Sequence, residues 1–224
     1  MKTAEKTALK IQAEWISHTN WSPFSAELLN LENSLGKDIC DSLHPTRIFE
    51  YPWVYSNLQP FSASDTLLDA GPGNTALQFL VSKEVKEVHS LDIYPDFIEW
   101  IAKICEEKHF DNVFPKLDSI LNAPYPDEYF DKVICISVLE HLPKTQVGLA
   151  IGELIRLVKP GGKIALTMDI ALVSTDKQMD INDFRMLVGQ QFIIPELVEG
   201  TMAFTAEPEN IPFSVICILI KKES

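Results

Sequence analysis

The stretch LLDAGPGNTALQF, residues 67–79, places a carboxylate at the end of an apolar run and then sets two glycines around a proline. Glycine tolerates positive φ and carries no Cβ, so Gly71 and Gly73 can bring backbone N–H groups close to a ligand while Pro72 holds the turn between them. Helical apolar spacing resumes at once in ALQFL, and the first amides of a helix favour a carboxylate or phosphate. A second acid, Asp92, ends the run EVHSLD, where a carboxylate can accept both hydroxyls of a ribose. Each feature has a plainer reading: a Gly-Pro-Gly turn that only reverses the chain, and a solvated loop acid. Gly71, Gly73 and Ala76 also satisfy the dinucleotide fingerprint, which brings in a nicotinamide cofactor as a rival ligand.

Such a loop needs a strand ahead of it and a helix behind it. From residue 66 short β-runs alternate with helical stretches: TLLDA (66–70), EVHSLD (87–92), VFPKL (113–117), KVICIS (132–137) and KIALTMD (163–169). Between them Phe97, Ile98, Ile101, Ile104 and Cys105 form one helical stripe, and Val147, Ala150, Ile151, Leu154 and Val158 another, closed by KPGG at 159–162. This alternation predicts an α/β, doubly wound, Rossmann-like fold with a mostly parallel sheet. DINDFRMLVGQQF reads as a further helix; a strand-like stretch near 198–205 and the run FSVICILIKK (213–222) follow, linked too closely for a crossover helix. They predict an antiparallel pair at one edge of a seven-stranded sheet.

The first 62 residues read as a helical cap, and residues 63–224 as the ligand-binding domain. Ala8, Leu9, Ile11, Trp15 and Ile16 suit one helical stripe; Ser22 and Pro23 open a second helix carrying Phe24, Leu28, Leu31, Leu35 and Ile39. PTRIFEYPWVYSNLQPF, interrupted by Pro45, Pro52 and Pro60, is expected in short helical or irregular pieces. The aromatics Trp21, Tyr51, Trp53 and Tyr55 either glue this cap to the sheet or wall an acceptor pocket, with Tyr51 and Trp53 the candidates for substrate contact.

A formal charge of -13 argues against a nucleic-acid backbone as partner, since that contact needs clustered Lys and Arg. Cys40, Cys105, Cys135 and Cys217 lie far apart, without metal-ligand spacing, and read as reduced thiols with no metal. No apolar run is long enough to span a bilayer and the first residues lack a secretory pattern. The expectation is a soluble, cytoplasmic protein with a small-molecule acceptor and no membrane partner.

Five ordered segments together resemble the class I S-adenosylmethionine-dependent methyltransferases, most closely the small-molecule group with a VLEHL-type segment after the fourth strand. The resemblance covers residues 65 to about 169. In LLDAGPG it implies that Asp69 organises the loop and the cofactor amino group, with Gly71 and Gly73 as close-approach positions. In SLDIY it implies Asp92 on the ribose and Ile93 beside the adenine. KLDSILNAPYPDEYFDKVICISVLEHL implies Asp118 at the adenine amino group, with Ser119 and Ile120 nearby, and a sulfonium side lined from Ile136 to His141. LIRLVKPGGKIALT is similar to the segment leading into the fifth strand. The departure is Thr75, where the family usually has a third glycine; a β-branched residue there requires ordinary backbone, and its hydroxyl can cap the following helix.

The implied cofactor, S-adenosyl-L-methionine, already carries an activated methyl group, so the protein has chiefly to align the partners and exclude water. His141 is the first candidate for a base where the acceptor must lose a proton, ahead of Glu140; its alternative is a structural role in the loop. Asp169, at the end of the fifth strand, either orients a substrate or caps its loop. Two rivals stay open: a non-catalytic, cofactor- or partner-binding member of the fold, and a nicotinamide-dependent oxidoreductase, against which Asp69 and the edge hairpin speak.

Overall fold

The computed structural model describes residues 8–17, 46–176, 178–188, 201–206 and 211–223. Its centre is one sheet of eight strands. In chain order these are β1 (Leu9–Trp15), β2 (Thr66–Ala70), β3 (Glu87–Asp92), β4 (Val113–Leu117), β5 (Phe130–Ile136), β6 (Val158–Ala171), β7 (Phe204–Ala206) and β8 (Ile211–Lys222). The helices are α1 (Arg47–Leu58), α2 (Leu77–Val81), α3 (Pro95–Lys108), α4 (Lys144–Leu157) and α5 (Ile181–Val188), with a 3-10 turn over Leu139–His141.

The sheet order is β1-β8-β6-β5-β2-β3-β4, with β7 also paired to β8. Strands β2 to β6 are mutually parallel, whereas β8 runs antiparallel to β6, β1 and β7. The chain therefore winds from β2 outward through β3 and β4, returns to the other side of β2 as β5, and continues to β6. Strand order reverses at β2/β5, where the carboxyl ends of a doubly wound sheet leave a crevice.

A strand buried on both faces reads as continuous apolar sequence, as β2 does. All five of its residues are buried. Leu68 belongs to the core layer under α4, and Leu67 to the layer under α1 and α3. Each buried leucine contributes about 1.5–3 kcal/mol.

Three expectations require correction. Residues 9–15 form a strand, not a helix, and their exposure alternates with period two along LKIQAEW. Leu9, Ile11 and Trp15 fit either period, but the outer edge of β8 offers a seven-residue antiparallel register, and pairing it removes an exposed sheet edge. The sheet thus has eight strands, not seven, and β8 lies inside it. Second, RIFEYPWVYSNL is one continuous helix despite Pro52. The proline forfeits one backbone bond, while burial of Phe49, Trp53, Val54 and Leu58 holds the element together. Third, α4 stops at Leu157 and Val158 is already extended, so KPGG lies within the start of β6, where the register with β5 shifts between Phe130 and Lys132.

The helix expected from Ser22 to Ile39, with Trp21, Cys40 and residues 198–200 of the strand-like stretch, lies outside the described residues. Among the described residues no helix is long and apolar enough to cross a membrane.

Candidate active site

At the reversal point, β2 delivers its chain into the glycine loop. Gly71 takes φ 76° and Gly73 φ 58°, left-handed values that glycine adopts without strain. The Gly71 N–H donates to the Leu91 carbonyl at 2.8 Å, tying the loop to β3. A Cβ on Gly71 would stand 2.5 Å from Val138 Cγ2, whereas one on Gly73 would meet nothing within 4 Å. Gly71 is therefore bare for packing, and Gly73 is bare towards open space.

Asp92 staples the far side of this loop. Its Oδ2 accepts from the Gly73 N–H at 3.1 Å and its Oδ1 from the Tyr94 N–H at 3.0 Å. An ionised carboxylate has about four acceptor positions, so capacity remains for further donors. Asp69 is buried nearby, and burial first, then the charge of Asp92, pushes its carboxyl up to about 7. Thr75 stays out of the left-handed region, and its hydroxyl donates to Gln78 Oε1 at 3.3 Å. It does not cap α2, which begins without a side-chain cap.

These groups border a cavity of about 700 Å³, within the range of roughly 300–1,000 Å³ usual for small-molecule sites. Of the residues singled out in the sequence, Asp69, Gly71, Gly73, Asp92, Ile93, Ser119, Ile136, Tyr51 and His141 line it. Asp118, Trp53 and Asp169 do not. The Asp118 N–H donates to the Asp92 carbonyl at 2.9 Å, and its carboxylate accepts from the Ser119 N–H at 2.9 Å, so it shapes the segment that carries Ser119. Trp53 is buried and its Nε1 donates to Glu14 of β1, which makes it glue between α1 and the sheet. Asp169 Oδ1 is buried without a hydrogen-bond partner. Burial first, then the charge of Glu50, pushes the Asp169 carboxyl up to about 7 against the opposing pull of Arg47.

Above β5 and β6, two residues that the motifs did not mark, Arg47 and Glu50, meet the marked span from Ile136 to His141. Ser137, directly after β5, has φ 48°, a strained value for a residue with a Cβ. It is held from three sides: its N–H reaches the Thr167 carbonyl at 3.1 Å, its hydroxyl donates to Glu50 Oε1 at 2.8 Å, and its Oγ accepts from Arg47 Nη1 at 2.6 Å. Arg47 Nη1 also donates to Glu50 Oε2 at 2.5 Å, and the Thr167 hydroxyl to Glu50 Oε1 at 2.5 Å. Burial opposes the charge on Glu50, but the guanidinium and these hydroxyls outweigh it and hold the carboxyl below its ordinary range. Glu140 is the reverse case: burial, then Asp169, keep its carboxyl well above that range. The imidazole of His141 is lowered by burial and then by Arg47, which favours its neutral form. A single arginine in the aromatic run RIFEYPW, with a glutamate three residues on, was the available sequence signal.

A family model described as a methyltransferase domain matches residues 68–166, the segment from β2 into β6 that frames the cavity. Over those residues, fewer than half of the chain, the protein is similar to that family. A tRNA (carboxymethyluridine(34)-5-O)-methyltransferase of Arabidopsis thaliana is 32% identical over 124 residues, which is 55% of this chain and 28% of that protein. The chain spans less than half the length of the curated relatives it matches. The crystal structure of YcgJ from Bacillus subtilis superposes with a TM-score of 0.61 at 15% identity, covering 78% of this chain and 98% of that one. Geranyl diphosphate C-methyltransferase from Streptomyces coelicolor, solved with Mg2+, geranyl diphosphate and S-adenosyl-L-homocysteine, gives 0.61 at 10% identity, covering 90% of this chain and 98% of its own. At these identities the solved structures show a shared fold.

Proposed function

We propose that this protein transfers a methyl group from S-adenosylmethionine to a small-molecule acceptor. One observation carries the reading: two carboxylates, Asp69 and Asp92, meet at an open glycine loop, and the one lysine or arginine among the described residues lining the cavity, Arg47, stands over β5 and is paired with Glu50. Such a pair calls for a ligand that brings its own cation and hydroxyl donors, and the aminoacyl and ribose parts of the cofactor bring both. Asp69 faces the ammonium, Asp92 the ribose hydroxyls, and Gly73 leaves room for close approach. Ile93 and Ile120 offer apolar walls to the adenine, with Ser119 and the Asp118 segment at its polar edge. Ile136 and His141 border the space where the acceptor stands.

When bound, the cofactor supplies an activated methyl group on a sulfonium. The chain contributes alignment and a dry enclosure. His141, held neutral, accepts a proton from a hydroxyl or amine acceptor above its lowered pKa. Tyr51 closes the acceptor wall, while Trp53 and Asp169 stand behind it and act through packing. The formal charge of -13 weighs for a small acceptor over an RNA backbone.

Calorimetry with S-adenosylhomocysteine is the first test, with binding expected for the wild type and lost in Asp92→Ala. Absence of heat at high protein concentration would sink the cofactor reading. Methyl incorporation from labelled cofactor into metabolite fractions, against incorporation into unfractionated tRNA, then tests the acceptor class; label in tRNA alone would overturn the small-molecule assignment.

A further inference from the structure

Arg47 is the only lysine or arginine among the described residues that line the cavity. Its side chain is 20% exposed, and its hydrogen bonds to described residues all use one nitrogen: Nη1 reaches Glu50, Ser137 and Thr46. No acceptor among the described residues engages Nε or Nη2. Those two atoms form the edge of the guanidinium that binds planar oxyanions through two parallel N–H bonds. The anchored nitrogen fixes the plane, so the remaining edge is pre-set at little entropic cost.

The charges around it sort by position. Asp69 and Asp92 lie at β2 and β3, whereas Arg47 stands over the end of β5 at Ser137. From β3 across β2 to β5 is two strand spacings, roughly 10 Å, so the cavity has an acidic end and a basic one. Glu50 pairs with Arg47 through Nη1 and meets the hydroxyls of Ser137 and Thr167, and it does not line the cavity, so the guanidinium is the charged group this end presents there. Neutral His141 adds no competing charge.

We propose that Arg47 receives an oxyanion of the acceptor, so that the substrate is a small molecule carrying a carboxylate or a phosphate. This rests on the methyltransferase reading above, in which the β5 end of the cavity belongs to the acceptor. The anion docks on the Nε–Nη2 edge, Tyr51 and His141 stand in the same wall, and Glu50 with Ser137 keeps the guanidinium from turning. Arg47 thereby selects and orients the substrate and takes no part in bond making.

The test titrates benzoate, its uncharged isostere benzamide, and inorganic phosphate into the full chain, read by thermal shift and calorimetry. Loading with S-adenosylhomocysteine is measured separately, and the anions are also titrated into unloaded protein, so loss of the cofactor reading and loss of the Arg47 site give different results. At least one anion is expected to bind, with benzamide about tenfold weaker or more than benzoate if the site prefers carboxylates. Preference for benzoate points to a carboxylated acceptor, and preference for phosphate to a phosphorylated one. Arg47→Lys keeps a charge without the fork and should fall between wild type and Arg47→Met. Because Arg47→Met strands a buried glutamate, the double variant Arg47→Met with Glu50→Gln provides a folded control that should also lose the anion. The proposal is overturned if neither anion binds wild type, if the anions bind only unloaded protein and are displaced by S-adenosylhomocysteine, or if the double variant binds them as well as wild type does.

Discussion

The two ends of the cavity treat buried charge in opposite ways. At the glycine loop, Asp69 and Asp92 face one another with no lysine or arginine among the described residues beside them, and Asp69 is pushed up to about 7. Over β5 and β6, Glu50 is more completely enclosed yet held below its ordinary range, because Arg47 and the hydroxyls of Thr167, Thr46 and Ser137 meet it. Burial alone therefore does not decide the state of a carboxyl here; the presence of a donor does. The first end is incomplete until something positive arrives, whereas the second is completed by the chain itself.

The sharpest way to break this contrast is to remove the cation from the completed end. Arg47→Met leaves Glu50 buried and uncompensated, and urea denaturation should show a loss of about 3–5 kcal/mol. Replacing Glu50 with glutamine as well should recover much of that loss. At the incomplete end the prediction concerns pH. A raised folded-state pKa means that Asp69 contributes stability fully below its unfolded value of about 3.9, and loses it as pH rises through about 7. Between those limits the loss approaches about 1.4 kcal/mol per pH unit. Asp69→Asn should flatten the dependence of Tm between pH 4 and 7, and an unchanged slope would remove the contrast.

Cofactor binding sharpens it further. A ligand ammonium beside Asp69 favours the ionised carboxyl, so binding near pH 6 should release a proton, detectable by calorimetry in buffers of different ionisation enthalpy. The smallest effects belong to the loop. Gly71→Ala forces a Cβ into Val138 at a left-handed φ and should cost about 1–3 kcal/mol. Gly73→Ala meets only open space, so its stability cost should be about 1 kcal/mol; its larger effect is expected on S-adenosylhomocysteine affinity.

Much of the incomplete end was readable in advance because local sequence specifies it. Strand β2, the glycines and Asp92 lie on one βαβ unit whose periodicity and turn chemistry need no distant partner. The completed end was not readable: Glu50 and Ser137 are 87 positions apart, and Glu50 and Thr167 are 117 apart. Nothing local in RIFEYPW says that its acid faces the ends of two strands. Asp169 illustrates the same limit: the strand was expected to end at it, but β6 runs on to Ala171, and Asp169 does not line the cavity. The N-terminal strand was misread for a related reason. LKIQAEW carries apolar residues compatible with both periods, and only the vacant edge of β8 chooses between them.

That edge has a consequence for how the protein is made. Strand β1 leaves the ribosome before its partner β8, with every other strand of the sheet made in between. While the intervening chain emerges, Leu9, Ile11 and Trp15 have no neighbour to bond with, and ring closure over so long a span is slow. Nascent chains stalled before β8 should therefore expose an apolar ribbon that holdase chaperones recognise.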